Sequence, residues 1–258
     1  MTIKDDFKQD DEVLKYTGWD HLYVATPEET NYAITGHESQ IITLALKSGE
    51  TIKGEPGAMM YLSPGITQQI SCEGCWSRCC AGEDCCVVNF THSGEQPGKG
   101  YVALTPNFPM AKVVPVDMSS PYVNGVLITQ QGSFMASVGD VEIGMSVDCN
   151  FMRCCCAGTG LVRQKITGSG LALIAASGTI IQKILTEGEV IVVDTDCILA
   201  FAESCKLDIR RTAGIVGMIG GGEGIFNTTL TGPGLVLVQS MNETTFKEAL
   251  AFNKLYRR

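Results

Sequence analysis

Three stretches of the chain repeat one order of glycines and apolar runs, and this recurrence limits the possible folds more than any other feature. AGEDCCVVNF…GKGYVALTP begins at Ala81, AGTGLVRQKITGSGLALIAAS at Ala157, and GGEGIFNTTLTGPGLVLVQS at Gly221. Each has a small residue and a glycine (Gly82, Gly158, Gly222), a strand-like run, a glycine turn and a very apolar run. The last two turns match closely, with Gly168 and Gly170 against Gly232 and Gly234. A second unit recurs as GEPGAMMYLSPGITQQI from Gly54, TQQGSFMASVGDVEIGM from Thr129 and VVDTDCILAFAESCKLDI from Val192. LALKSGETIKG, KVVPVDMSSPYVNG and TIIQKILTEGEVIV join them in the same order. One module of about 65–75 residues therefore occurs three times, and internal repeats of this kind stack to bury a shared core.

The apolar period inside the module is near two. KLDIR, VEIGM and TLTGPGLVLV alternate or are continuously apolar, with glycine turns at short intervals. Such spacing predicts an all-β sandwich or barrel. The glycines are expected at turns and corners, where a positive φ or close backbone approach is needed. The last residues, NETTFKEALAFNKLYRR, differ. Thr245 and Glu248 form a capping box. Phe246, Ala249, Leu250 and Asn253 share a helical face, and Lys254, Arg257 and Arg258 suit the negative end of a helix. The predicted organisation is an acidic arm over 1–20, one β domain over 21–242 with repeats near 22–100, 101–165 and 166–242, and a short helix over 243–258.

SGETIKGEPGAMMYLSPGI, QGSFMAS, GSGLALIAASGTIIQKILTEGEVIVVDTDCILAF and GGEGIFNTTLTGPGLVLVQS resemble the altered-inheritance-of-mitochondria family, also called the tryptophan-RNA-attenuator-like (TRAP-like) β family. The resemblance spans Val24 to Ser240. It implies a three-repeat, double-stranded-β-helix or β-sandwich fold, and it brings neither an established activity nor catalytic residues. Its name points to mitochondria, although members occur widely in bacteria and archaea.

The chain carries 12 cysteines. SCEGCWSRCCAGEDCC holds Cys72, Cys75, Cys79, Cys80, Cys85 and Cys86. Cys72 and Cys75 have metal-ligand spacing, and zinc takes four convergent thiolates. The bland alternative makes Cys80, Cys85 and Cys86 small buried hydrophobes in strands. Disulfides are the third option, disfavoured in a reducing cytosol. Cys154, Cys155 and Cys156 form a second cluster, in FMRCCCAG, which aligns with WSRCCAG. The triplet is thus partly a repeated structural element. Neighbouring strand residues point to opposite faces, so three in a row do not readily share one ion. Arg78 and Arg153 align as well and are expected to pair with backbone carbonyls or nearby carboxylates.

The histidines, His21, His37 and His92, all have loop-like flanks, and no nucleophile, metalloprotease or phosphate-loop motif occurs. The acid pairs Asp194/Asp196 and Glu187/Glu189 read as solvated turns. The net charge of −9 argues against a phosphate-binding face, so nucleic acid is not an expected partner. The start, MTIKDDFKQDDEVLKY, is too acidic for a secretory signal or transit peptide, and no apolar run reaches membrane-span length. The expectation is a cytoplasmic, non-enzymatic β-repeat protein without a cofactor, acting through assembly and partner binding. Continuously apolar strands such as GLVLVQS imply burial on both faces, so a homo-oligomer is expected, most naturally a trimer. The alternatives are a zinc-binding or redox cysteine module and a small-molecule binder between repeats.

Overall fold

The computed structural model describes residues 20–21, 31–72, 86–94, 98–108, 110–146, 163–211, 226–241 and 246. Its strands, in chain order, are β1 (Asp20–His21), β2 (Tyr32–Thr35), β3 (Ile41–Leu46), β4 (Thr51–Gly54), β5 (Met59–Leu62), β6 (Ile66–Ser71) and β7 (Val87–His92). Then come β8 (Gly100–Leu104), β9 (Ala111–Asp117), β10 (Val126–Gln130), β11 (Phe134–Val138), β12 (Val141–Ser146) and β13 (Arg163–Gly168). The series ends with β14 (Leu171–Leu185), β15 (Val190–Asp194), β16 (Ile198–Ala202), β17 (Lys206–Arg211), β18 (Phe226–Thr231) and β19 (Gly234–Met241). The chain is all-β, as its period-two apolar pattern predicts. Of the expected C-terminal helix, only Phe246 lies among the described residues, and it is helical.

The chain divides into two compact units, Val24–Ala176 and Met1–Tyr23 with Ser177–Arg258. In the first, β2, β3, β8 and β5 form a four-stranded antiparallel sheet. A second run is ordered β6, β7, β4, β11 and the start of β14. Ile42, Leu44 and Leu46 of β3 and Val102 and Leu104 of β8 pack with Ile52, Ile66, Phe90, Met135 and Leu173 from that second run. β3 alternates strictly between half-buried and buried residues. Each fully buried aliphatic side chain contributes about 1.5–3 kcal/mol, so this shared cluster holds the unit together. β10 pairs with β13, and β13 with β12.

In the second unit, β14 from Ser177 onward pairs with β19, and β19 with β16. β1 adds to β14 at Gln182 and Ile181. β15, β18 and β17 form a separate three-stranded sheet. Leu185, Leu199, Leu230 and Val236 are fully or almost fully buried.

One pairing scheme occurs three times. β4 and β6 flank β7, β10 and β12 flank β13, and β15 and β17 flank β18. β3 and β5 flank β8, β9 and β11 both pair with β14, and β14 and β16 flank β19. The register slips at the same step each time, between Met59 and Tyr61, Phe134 and Ala136, and Ile198 and Ala200.

The turns recur as well. The Glu50 carboxylate accepts from the Lys47 amide, and the Glu189 carboxylate accepts from the Thr186 amide, each at 2.9 Å. Lys183 adds an ion pair to Glu189 at 3.0 Å. The Thr186 amide, helped by Lys183, holds the Glu189 carboxyl below the usual carboxylate range. Gly168 and Gly170 enter β14 as Gly232 and Gly234 enter β19. A Cβ on Gly170 would strike the Val138 carbonyl, and Gly234 combines φ +144° with the Cys205 sulfur 2.8 Å from where its Cβ would sit. Glycine is required at both.

Candidate functional site

Ser71 faces Val87 at the last printed rung of the β6–β7 ladder. The next residue on each side is a cysteine, and Cys72 and Cys86 are joined as a disulfide. Val87 is still buried at this rung, whereas the β6 side of the ribbon is open. Gln68, Gln69 and Ile70 are exposed on β6, and Cys72 is exposed as well. Cys86, expected as a small buried strand residue, is half-buried and lies just before β7 begins. The thiolate is the form that binds metal, so Cys72 and Cys86 offer no ligand while bonded to each other. Cys75, Cys79, Cys80, Cys85, Cys154, Cys155 and Cys156 lie outside the described residues, as do Arg78, Arg153, Gly82, Gly158 and Gly222. Among the described residues, no group of three His, Cys, Asp or Glu side chains is placed to hold a metal ion.

Cys197 and Cys205 are free thiols. Burial pushes the Cys205 thiol up to about 11, and its sulfur donates to the Pro233 carbonyl at 3.5 Å. Burial, then the charges of Asp194 and Asp196, raise the Cys197 thiol. A raised thiol pKa favours the neutral form in the fold. That advantage is complete below the ordinary thiol range and is lost as pH climbs through about 11 for Cys205. Both thiols are therefore expected to alkylate slowly near neutral pH and rapidly after denaturation, since the thiolate is the reactive species. Peptide-level mass spectrometry after a timed iodoacetamide pulse checks this, and complete native labelling of Cys205 within that pulse would contradict it.

His92 departs from its loop-like flanks. It closes β7, is 2% exposed, and its Nδ1 accepts from the Gly94 amide at 3.0 Å. Its alternation with Phe90 turns it inward, so the histidine belongs to packing. Asp194 does sit at a turn, where it accepts from the Asp196 amide at 2.9 Å.

The outer face of the four-stranded sheet carries an aromatic pair. Ala33, Thr43, Ala103 and Tyr61 lie in one cross-strand row. Ala103 is small enough for the Tyr61 hydroxyl to reach across β8 to Thr43, with which it shares a hydrogen bond of 3.0 Å. Tyr101 meets Tyr61 edge-on, with ring centroids 6.1 Å apart. Met59, Met60, Tyr61 and Tyr101 are all exposed. β5 is the last strand of this sheet, and among the described residues no strand pairs with its other edge, which runs beside this apolar surface. β15 is likewise the end of its sheet and exposes Val190 and Val192. Sequence reasoning found these strands but not their exposure. The signal present was the absence of charge in MMYL and VIVV, where sheet edges normally carry lysine or proline.

No helix among the described residues is long and apolar enough to cross a membrane. A curated relative, an uncharacterised protein of Streptococcus pyogenes serotype M6, is 24% identical over 221 residues, which cover 81% of this chain and 85% of the relative. A crystal structure of a Streptococcus pyogenes protein from a structural genomics consortium superposes with a TM-score of 0.64 at 22% identity. It covers 86% of this chain and 98% of that one, which shows a shared fold. Residues 32–241 match the family described as Mitochondrial biogenesis AIM24, and with most of its length inside that match the chain belongs to this family.

Proposed function

We propose that this protein is a non-enzymatic β scaffold that acts through self-assembly and partner binding at uncovered sheet edges. The observation that carries this reading is β5. It is an edge strand whose Met59, Met60 and Tyr61 are exposed beside Tyr101, with no charge among them. Contiguous exposed apolar surface marks interaction sites, and an open edge is a template for another strand. Tyrosine and methionine are enriched at protein interfaces. A closed homo-oligomer, with a trimer as its expected size, covers such a face. Light scattering coupled to size exclusion, at micromolar concentration in reducing buffer, should give a multiple of the 27.6 kDa chain mass. A chain that stays at the monomer mass on concentration refutes self-assembly.

The Cys72–Cys86 bond favours a second reading, a redox module, with zinc binding by the reduced cysteines as its variant. Elemental analysis of reductively purified protein separates the two: stoichiometric zinc retained through chelator dialysis supports the metal variant. The family description supports a link to mitochondria. Cell fractionation with an antibody to the chain tests that location.

A further inference from the structure

We infer that the middle repeat holds a small amphiphilic carboxylate, with its carboxylate on Lys53, Asn89 and Ser137 and its aliphatic tail in the space beside Ala172. The inference goes beyond the scaffold reading and does not depend on it. Every residue of the site lies in the unit Val24–Ala176.

The three repeats differ at one pair of positions. Register places Leu62 opposite Val102, Ser137 opposite Ala172 and Phe201 opposite Val236, each one rung past the slipped step. In the first repeat Leu62 and Val102 pack into the core, and in the third Phe201 is 5% exposed and Val236 0%. In the middle repeat Ser137 is 1% exposed and Ala172 0%, so the pair is buried but small. It has roughly four side-chain heavy atoms fewer than Leu62 and Val102, and roughly seven fewer than Phe201 and Val236. The matching strands do not make up the difference. Leu127, Ile166 and Val141 stand where the first repeat has Ile52, Phe90 and Ile66, and none of them is larger. Protein interiors are close-packed, so a deficit of this size without a larger neighbour leaves space for a guest.

Polar groups border this space on one side. Ser137 lies in the cross-strand row Gln69, Asn89, Lys53, Ser137 and Ala172, whose side chains share one face. The row descends from solvent into the interior: Gln69 is exposed, Asn89 and Lys53 are half-buried, and Ser137 and Ala172 are buried. Among the described residues, the Ser137 hydroxyl and the Asn89 side-chain carbonyl are buried atoms without a hydrogen-bond partner, one on either side of Lys53. Among the described residues Lys53 has no hydrogen-bond or ion-pair partner either. Glu55, the next carboxylate along β4, is buried and already has a partner. Leaving a buried group without its hydrogen bond is costly. Two such groups beside an uncommitted lysine form a site that a ligand completes.

All three groups can donate. The lysine ammonium and the serine hydroxyl do so directly, and the Asn89 amide does so when turned end for end, which keeps its shape. Three donors along one row suit a carboxylate, whose two oxygens accept several hydrogen bonds, most strongly from an ammonium. Beyond the serine the same face of β14 carries Ala172 and Ile174, both 0% exposed. That wall suits an aliphatic tail and rejects a second charge. A tail of about five carbons matches the missing side-chain volume.

The test titrates the full chain with hexanoate, acetate and hexan-1-ol, followed by protein NMR, with circular dichroism as the check on folding. Hexanoate is expected to bind at least about tenfold more tightly than acetate, since only its tail reaches the space beside Ala172. Lys53→Met is expected to weaken hexanoate at least about tenfold and to leave hexan-1-ol within about twofold, because it removes the charge and keeps the stem. Ser137→Leu copies Leu62 and is expected to weaken both probes at least about tenfold by filling the space. Ala172→Val copies Val102 and tests the same point with a smaller change, should Ser137→Leu fail to fold. No binding of hexanoate to the wild-type chain up to about 10 mM overturns the proposal, whatever the oligomeric state. Hexanoate binding that neither filling variant weakens overturns it as well, because the ligand then sits elsewhere. Binding lost on filling but indifferent to Lys53→Met overturns the placement of the carboxylate. The self-assembly reading is decided separately, by light scattering.

Discussion

Phe90→Ala is expected to lower the unfolding free energy of the first unit by about 3–5 kcal/mol, the range for deleting a buried phenylalanine. Phe90 is 0% exposed. It sits on β7, opposite Ile52 on β4 and Gln68 on β6. Its ring lies over Gly54, with Cε2 3.1 Å from where a Cβ would stand. Gly54 therefore has no side chain with which to refill the space. Ile42, Leu104 and Met135 belong to the same cluster and are held by strands of two different sheets, which limits how far the walls can collapse. The cost therefore belongs toward the upper end, since cavity cost grows with unrelaxed volume. Phe90→Leu retains much of the buried surface and is expected to cost well under half as much. Urea unfolding followed by circular dichroism reads both. A thermal midpoint shift on the order of 10 °C should accompany the alanine variant. A loss below about 1 kcal/mol would show that Phe90 is not central to this core.

Turns and strands were legible in the sequence wherever one local rule decided them. LALKSGETIKG is β3, a turn at Gly49 and β4, and TIIQKILTEGEVIV is the end of β14, a turn at Gly188 and β15. Positive φ at these glycines and the alternation on either side are local properties. Gly178 shows where the rule stops. It reads as another turn, yet it lies inside the 15-residue β14, where φ +74° and a register slip between Ser177 and Ile180 make it a bulge. His92 was misread for a related reason, because its flanking Ser-Gly pair is turn-like while its own side chain follows the inward parity of Phe90. The candidate site depended on register rather than on composition. Cysteine connectivity does not follow from spacing. Only the Ser71–Val87 rung brings Cys72 and Cys86 face to face. The exposure of β15 was hidden similarly, because β4 and β15 have similar patterns, and among the described residues β4 is paired on both sides and β15 on one.

Removing the Cys72–Cys86 bond is the second large effect. The cysteines are 14 residues apart in sequence. A cross-link closing a loop of that size restricts the unfolded chain by about 3 kcal/mol in the chain-entropy model. The folded cost of the bond is small, because β6 and β7 already hold the two ends of the loop in register as far as Ser71 and Val87. Cys72→Ser/Cys86→Ser is therefore expected to unfold at lower urea by an amount equivalent to about 3 kcal/mol. The loss should be unequal along the ribbon. Ile70 is 75% exposed and Phe90 is 0% exposed, so the β6 strand near Ile70 has little side-chain packing to hold it once the bond is gone, whereas the ribbon at Phe90 is anchored in the core. Amide exchange should accelerate first at Ile70 and Ser71 and least at Phe90, in keeping with local opening where buried contacts are few. Dithiothreitol should destabilise the wild-type chain by the same amount as the double serine variant and leave that variant unchanged. If the wild-type chain unfolds at the same urea concentration with and without reductant, the bond does not contribute to stability. If reductant lowers the stability of the serine variant as well, another cysteine pair carries the effect.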